Sequence, residues 1–169
     1  MKKIFIWYIL LVGNINGAGP DPVFGKNGMV VSTSRQASIA GIEILKKGGN
    51  AVDAACATGF VLAVTSSSNG NVGGGGFMVV HKADSTIFTL DYREIAPAAA
   101  HQDMFLDSNG EVIDNMSLRT RAASGVPGSV DGLLKAWKDH GSGNISRREL
   151  LASSIALAER GFELSHYEA

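Results

Sequence analysis

Residues Ala51 to Val64 (AVDAACATGFVLAV) carry one charged side chain, Asp53, and are otherwise almost all small or apolar. A stretch of this length and make-up reads as a helix, and a helix apolar on most of its faces has to be buried. That requirement constrains the fold more than any other feature, because the rest of the chain must supply partners on several sides of one central helix. Its small side chains let those partners approach closely. The 169 residues suffice for one domain of ordinary size. Cys56 lies inside the stretch and is the one cysteine of the chain. It reads as a small buried hydrophobe, and neither a disulfide framework nor a cysteine-rich zinc site is available. Asp53 reads as a helix-start charge or a buried partner rather than a catalytic acid.

Local signals place the neighbours. Ser34 is positioned to cap a helix from Arg35 to Lys47, with Ala37, Ala40, Ile44 and Leu45 at helical spacing and Gly48-Gly49 beyond its end. Lys46 and Lys47 complement the dipole of its last turn. Met29 to Val31 reads as a short strand. Phe77 to Lys82 and Ile87 to Asp91 read as paired strands around the turn Ala83 to Thr86. Pro97 stops regular structure, and a helix is expected to restart near Ala98. Asp107-Ser108-Asn109-Gly110 is a turn. Helices follow from Ser129 to Asp139 and from about Arg147 to Arg160. The last should turn Leu150, Leu151, Ser154, Ile155 and Ala158 inward and end at Gly161. Adjacent strands among helices, without a strand-helix-strand repeat, indicate an α/β domain of the α+β type with antiparallel pairing.

The amino terminus reads as an address. Met1-Lys2-Lys3 is positive, Ile4 to Val12 is uninterruptedly apolar, and small residues follow at Gly13, Gly17, Ala18 and Gly19. That is the layout of a secretory signal peptide, expected over residues 1–18, with the domain proper over 19–169. The apolar run is too short to span a bilayer as a helix, so the expectation is export, periplasmic or extracellular, without a stable membrane span. Asn115-Met116-Ser117 and Asn144-Ile145-Ser146 fit the glycosylation acceptor pattern.

Lys plus Arg is 15 and Asp plus Glu is 16, a net charge of -1, so the basic surplus of a nucleic-acid binder is missing. Hydrophobic residues make up 45%, too many for a disordered chain. The four histidines, His81, His101, His140 and His166, have no metal-ligand spacing. The reading requires no metal and no cofactor.

Two features are candidates for chemistry. Gly73 to Gly76 removes every Cβ along a stretch of backbone. The run leads into a strand rather than a helix, and Phe77-Met78 follow where a phosphate loop needs Lys-Ser or Lys-Thr. Both nucleotide readings fail, which leaves a merely flexible run or, favoured over it, tight packing at a strand entrance. Arg93 stands directly after the second strand, between Asp91 and Glu94. Its planar guanidinium suits bidentate capture of a carboxylate. The competing reading is a salt bridge to Asp91 or Glu94. No nucleophile with an activating base is visible.

Taken together and in order, Gly48-Gly49-Asn50-Ala51-Val52-Asp53-Ala54-Ala55, Gly73-Gly74-Gly75-Gly76-Phe77-Met78, Asp91-Tyr92-Arg93-Glu94-Ile95-Ala96-Pro97 and Gly125-Val126-Pro127-Gly128-Ser129 resemble the amino-terminal part of the large subunit of gamma-glutamyltranspeptidases, or glutathione hydrolases. Ala158-Glu159-Arg160-Gly161-Phe162 is similar to a later segment, so the resemblance covers about Gly28 to Ala169. It implies an N-terminal-nucleophile hydrolase fold of αββα layers, present only in its amino-terminal portion. It also implies a self-cleaving precursor whose small subunit begins with the nucleophilic Thr and supplies the oxyanion donors. The new α-amine of that Thr serves as the base, and the γ-glutamyl group passes to water or to an amine acceptor.

On the same resemblance, Arg93 holds the α-carboxylate of the γ-glutamyl group and Glu94 supports it. No Thr in this chain matches the nucleophile, so the catalytic residue is expected beyond it. The expected partners are a small γ-glutamyl substrate and the chain's own small subunit. The loop Ser66 to Val72 departs from the family pattern, which carries a proline and a Ser-Gly pair there. The expectation is an amino-terminal fragment of an exported γ-glutamyl hydrolase or transferase, inactive alone, with exposed apolar edges that favour aggregation. The alternatives are an inactive binding remnant and a same-fold acylase or polyglutamate-cleaving relative.

Overall fold

The computed structural model describes residues 21–66, 68–69 and 72–164; the expected leader at 1–18 lies outside them. Helix α1 spans Arg35–Lys46, and the Ala37 N–H donates to Ser34 Oγ at 3.4 Å. Gly48 takes φ +88°, the left-handed turn that ends the helix. Helix α2, Ala51–Thr65, follows at once.

Strand β1 spans Phe77–His81 and β2 spans Ile87–Asp91. They pair antiparallel, with Phe77 opposite Asp91, Val79 opposite Thr89 and His81 opposite Ile87. After β2 the chain runs through turns to a short helix α3, Met116–Arg119, and a 3-10 turn, Arg121–Ala123. Helices α4, Ser129–His140, and α5, Arg147–Arg160, complete the described fold.

The central position expected of α2 is observed. Helices α1, α4 and α5 all pack on it, and Val52, Asp53, Ala54, Cys56, Ala57, Thr58, Phe60, Val61 and Thr65 are buried. Close approach of α1 depends on Gly41, where a Cβ would lie 2.5 Å from Thr58 Oγ1. The main core joins Val52, Cys56 and Phe60 of α2 to Leu133 and Ala136 of α4, Ile145, and Leu150 of α5. Met78, Val80, Phe88 and Leu90, alternate residues of the hairpin, lie on that core. The opposite face of the hairpin is open, with Phe77 65% and Val79 73% exposed.

The starts of α2 and α5 both carry capping boxes, and that of α2 is also latched to a remote segment. Asn50 and Asp53 form a capping box at the start of α2. Asn50 Nδ2 also donates to His140 O at 2.9 Å, and the Ser142 N–H donates to Asp53 Oδ2 at 2.9 Å. The same two side chains therefore start α2 and tie it to the α4–α5 connection. Ser146 and Glu149 form the equivalent box at α5.

Two local expectations fail and a third holds only in part. Met29 to Val31 is not a strand, because no segment among the described residues pairs with it; Val30 instead packs against the core. No helix restarts at Ala98, where the chain forms turns. On α5 Leu150, Leu151 and Ser154 face inward as expected, and Leu157 packs against the smaller cluster of Ala37, Ala40 and Val61. Ile155 is 50% exposed and Ala158 is exposed. The second half of the helix meets α1 and α2 through Leu157.

Candidate functional site

The site is built by three of the sequence motifs meeting at one backbone segment, Tyr92-Arg93-Glu94. β2 delivers that segment. The Tyr92 N–H donates to Gly76 O at 3.0 Å, and the Gly76 N–H donates to Tyr92 O at 3.3 Å, so the hairpin pairing continues past the strands into the glycine run. Beyond it, Ile95 and Val126 exchange hydrogen bonds of 3.2 and 2.9 Å. The Gly128 and Ser129 N–H groups both donate to Gly74 O at 3.0 Å. These bonds hold the glycine run, the segment after β2 and the start of α4 together.

The glycines are there because nothing larger fits. A Cβ at Gly75 would lie 2.7 Å from Arg93 Cα, from Glu94 N and from Tyr92 O. One at Gly128 would lie 2.0 Å from Tyr92 O, and one at Gly132 would lie 2.2 Å from Tyr92 Cβ. Gly76 lies under the Tyr92 ring and Gly125 beside the Glu94 side chain, with Cβ positions 2.8 and 3.2 Å from them. The expectation of tight packing at the strand entrance therefore holds for Gly75 and Gly76. The sequence reading singled out Gly128 only within a motif and missed Gly132. The available signal was a glycine inside an otherwise ordinary helix, a costly choice unless something approaches closely.

Arg93 is exposed on this platform. The ion pairs among the described residues are Lys46 with Glu43 and Lys135 with Asp139, so the competing reading of a salt bridge to Asp91 or Glu94 is not realised. Asp91 instead accepts the Arg93 backbone N–H on Oδ1 at 3.0 Å, which shapes the turn and leaves the guanidinium free of its neighbours. Glu94 is exposed next to it. Tyr92 turns the other way and packs against the core. Burial, and to a smaller degree Cys56, push its phenol above the ordinary value. A small apolar cleft of about 170 Å³ opens beneath Tyr92, lined by Phe60, Val130 and Leu133 among others and by no charged side chain.

Cys56 is buried, and its Sγ–H donates to Leu133 O at 3.2 Å. Burial first, and Asp53 second, push its thiol up to about 12, which rules it out as a nucleophile at neutral pH. Asp53 is fully buried and serves the latch. His140 stacks on Phe88 with ring centroids 3.8 Å apart. Among the described residues no three His, Cys, Asp or Glu side chains gather as a metal site, and no helix is long and apolar enough to cross a membrane. An exposed guanidinium on a rigid backbone seat can grip a carboxylate; it cannot break a bond.

Known proteins share this sequence pattern and fold. The sequence profile described as Gamma-glutamyltranspeptidase matches residues 37–169. A glutathione hydrolase proenzyme of Pseudomonas sp. (strain A14) is 46% identical over 151 residues, 89% of this chain and 26% of that protein. The chain thus spans about a quarter of that relative's length. The crystal structure of Helicobacter pylori gamma-glutamyltranspeptidase superposes with a TM-score of 0.81 at 40% identity, covering 88% of this chain and 42% of that one. The Pseudomonas nitroreducens gamma-glutamyltranspeptidase complexed with L-DON gives 0.78 at 46% identity, over 86% of this chain and 42% of that one. The α+β arrangement described here is accordingly a portion of the N-terminal-nucleophile hydrolase fold, and the chain belongs to the gamma-glutamyltranspeptidase family.

Proposed function

We propose that this chain, over 19–169, is the amino-terminal part of the large subunit of an exported enzyme that cleaves γ-glutamyl amides such as glutathione. The enzyme passes the γ-glutamyl group to water or to an amino acid or peptide amine. Residues 1–18 direct export. The nucleophilic Thr and the oxyanion donors belong to a small subunit released by self-cleavage, which is this chain's obligatory partner. The relatives named as glutathione hydrolase proenzymes support a processed precursor.

Arg93 receives the α-carboxylate of the γ-glutamyl group, and Glu94 supports that contact. The observation that carries the reading is Arg93 itself: an exposed guanidinium without an ion-pair partner among the described residues, on a backbone seat formed by Gly75 and Gly128. Planar, two-point recognition of a carboxylate is what such a group does best.

The test is Arg93→Ala and Arg93→Lys in the complete processed protein, assayed on a γ-glutamyl anilide. A charge-assisted contact of ~1.5–3 kcal/mol corresponds to a loss of about 10- to 150-fold in kcat/KM for Arg93→Ala. Lysine should restore only part of it, because it lacks the fork. Unchanged kinetics in Arg93→Ala would overturn the assignment.

A further inference from the structure

We propose that Gly128 and Gly132 are positioning residues for Arg93, acting through the Tyr92 backbone and side chain; this rests on the reading of Arg93 given above. Neither glycine is demanded by its own conformation. Gly128 has φ -112°, and Gly132 lies within α4, so both backbones are open to any residue. Inside a helix, glycine is less favourable than alanine. Both are demanded by approach. A Cβ at Gly128 would sit 2.0 Å from Tyr92 O and 2.8 Å from Tyr92 C, and one at Gly132 would sit 2.2 Å from both Tyr92 Cβ and Cγ.

Ordinary contact begins at 3.4 Å, so a methyl at either position pushes Tyr92 away by more than an ångström. The atoms met are backbone and the root of a side chain, which cannot swing aside. Gly75 approaches the same segment from the glycine run, 2.7 Å from Arg93 Cα when given a Cβ. The hydrogen bonds from Gly128 and Ser129 to Gly74 O fasten the glycine run and the start of α4 to each other. The peptide that joins Tyr92 to Arg93 is thus held by the glycine run and the first turns of α4. The guanidinium's place is set by that seat, since its own side chain makes no ion pair among the described residues.

The experiment places Gly132→Ala, Gly128→Ala, Arg93→Ala and the double variant Arg93→Ala/Gly132→Ala in the complete protein, with rates on a γ-glutamyl anilide taken per mole of processed enzyme. A misplacement of about 1 Å costs roughly 10²-fold. That loss is expected in kcat/KM for Gly132→Ala and Gly128→Ala, carried mainly by KM, because the contact already binds the ground state. Adding Gly132→Ala to Arg93→Ala should cost nothing more. Gly59→Ala, another mid-helix glycine whose Cβ would first meet the Leu133 side chain, at 3.0 Å and remote from Arg93 in the chain, should match the wild type.

A wild-type KM in both glycine variants overturns the proposal. So does an equal loss from Gly132→Ala with and without Arg93, the signature of general damage. Wild-type kinetics in Arg93→Ala would instead defeat the reading of Arg93 itself, which keeps the two failures apart. Should the tight variants not yield soluble protein, Gly125→Ala decides. Its Cβ would approach Glu94 Cβ to only 3.2 Å, so a few-fold rise in KM at intact kcat is expected, and no rise overturns the proposal.

Discussion

Truncating Asp53 to alanine should unlatch the start of α2 from the α4–α5 connection. Asp53 Oδ2 accepts the Asn50 N–H and the Ser142 N–H, each at 2.9 Å, in a fully buried side chain. A hydrogen bond to a charged group is worth ~1.5–3 kcal/mol, and removal of the acceptor leaves both donors unpaired. Against this runs the cost of burying a carboxylate, several kcal/mol in general, here sharpened because Oδ1 has no partner among the described residues. The net expectation for Asp53→Ala is a loss of about 2–4 kcal/mol.

Asp53→Asn keeps one oxygen where Oδ2 accepts both bonds, so it should lose about half as much. Equilibrium urea unfolding of the complete protein reads both as shifts in midpoint at constant slope. Asn50→Ala combined with Asp53→Ala should be less than additive, because the two side chains form one box. An Asp53→Ala variant within about 0.5 kcal/mol of the wild type, the scale of an ordinary surface change, would refute the latch. An Asp53→Asn as damaging as Asp53→Ala would show that charge, not the two accepted bonds, is what matters.

Two further outcomes are expected. Cys56, with its thiol pushed up to about 12, should resist a disulfide reagent at pH 8 in the native protein and react fully in urea; rapid native reaction would show an open core. Glu149 accepts hydrogen bonds from Ser146 Oγ and then from the Ser146 N–H, which hold its carboxyl below the ordinary 4.5. A depressed carboxyl stabilises the fold above its unfolded value and loses that contribution as pH falls through the lower folded value. Amide protection in the first turn of α5, taken as observed against intrinsic exchange at each pH, should therefore fall below pH 4.5 in the wild type and stay flat over that range in Glu149→Gln; parallel profiles would refute the box.

Much of the fold is legible locally. Ser34, Gly48 and Gly161 mark helix ends through a side-chain acceptor and through positive φ, and such chemistry acts within one turn. The burial of α2 follows from its composition. The hairpin follows from two short apolar runs around a turn, and β2 is observed over the expected residues. Met29 to Val31 was not legible as a non-strand, because strand formation depends on a partner elsewhere. The inward face of α5 was legible for Leu150, Leu151 and Ser154 but not for Leu157, whose burial depends on remote residues of α1 and α2. At the site, Arg93 was visible as residue type and position, but whether it paired with Asp91 or stood free was not.

What the sequence determined by itself is therefore what neighbours in the chain decide: caps, turns, the buried character of α2, and the order of four motifs that marks the family. What only the tertiary structure decided is why two of those motifs, and the helix that follows the second, carry glycine. Gly75, Gly128 and Gly132 lie in two segments distant from each other in the chain, and each faces Tyr92 or Arg93 at a separation that no side chain allows. Close approach is a relation between remote segments. It leaves no periodicity in a sequence, and it becomes readable only when the backbones are set side by side.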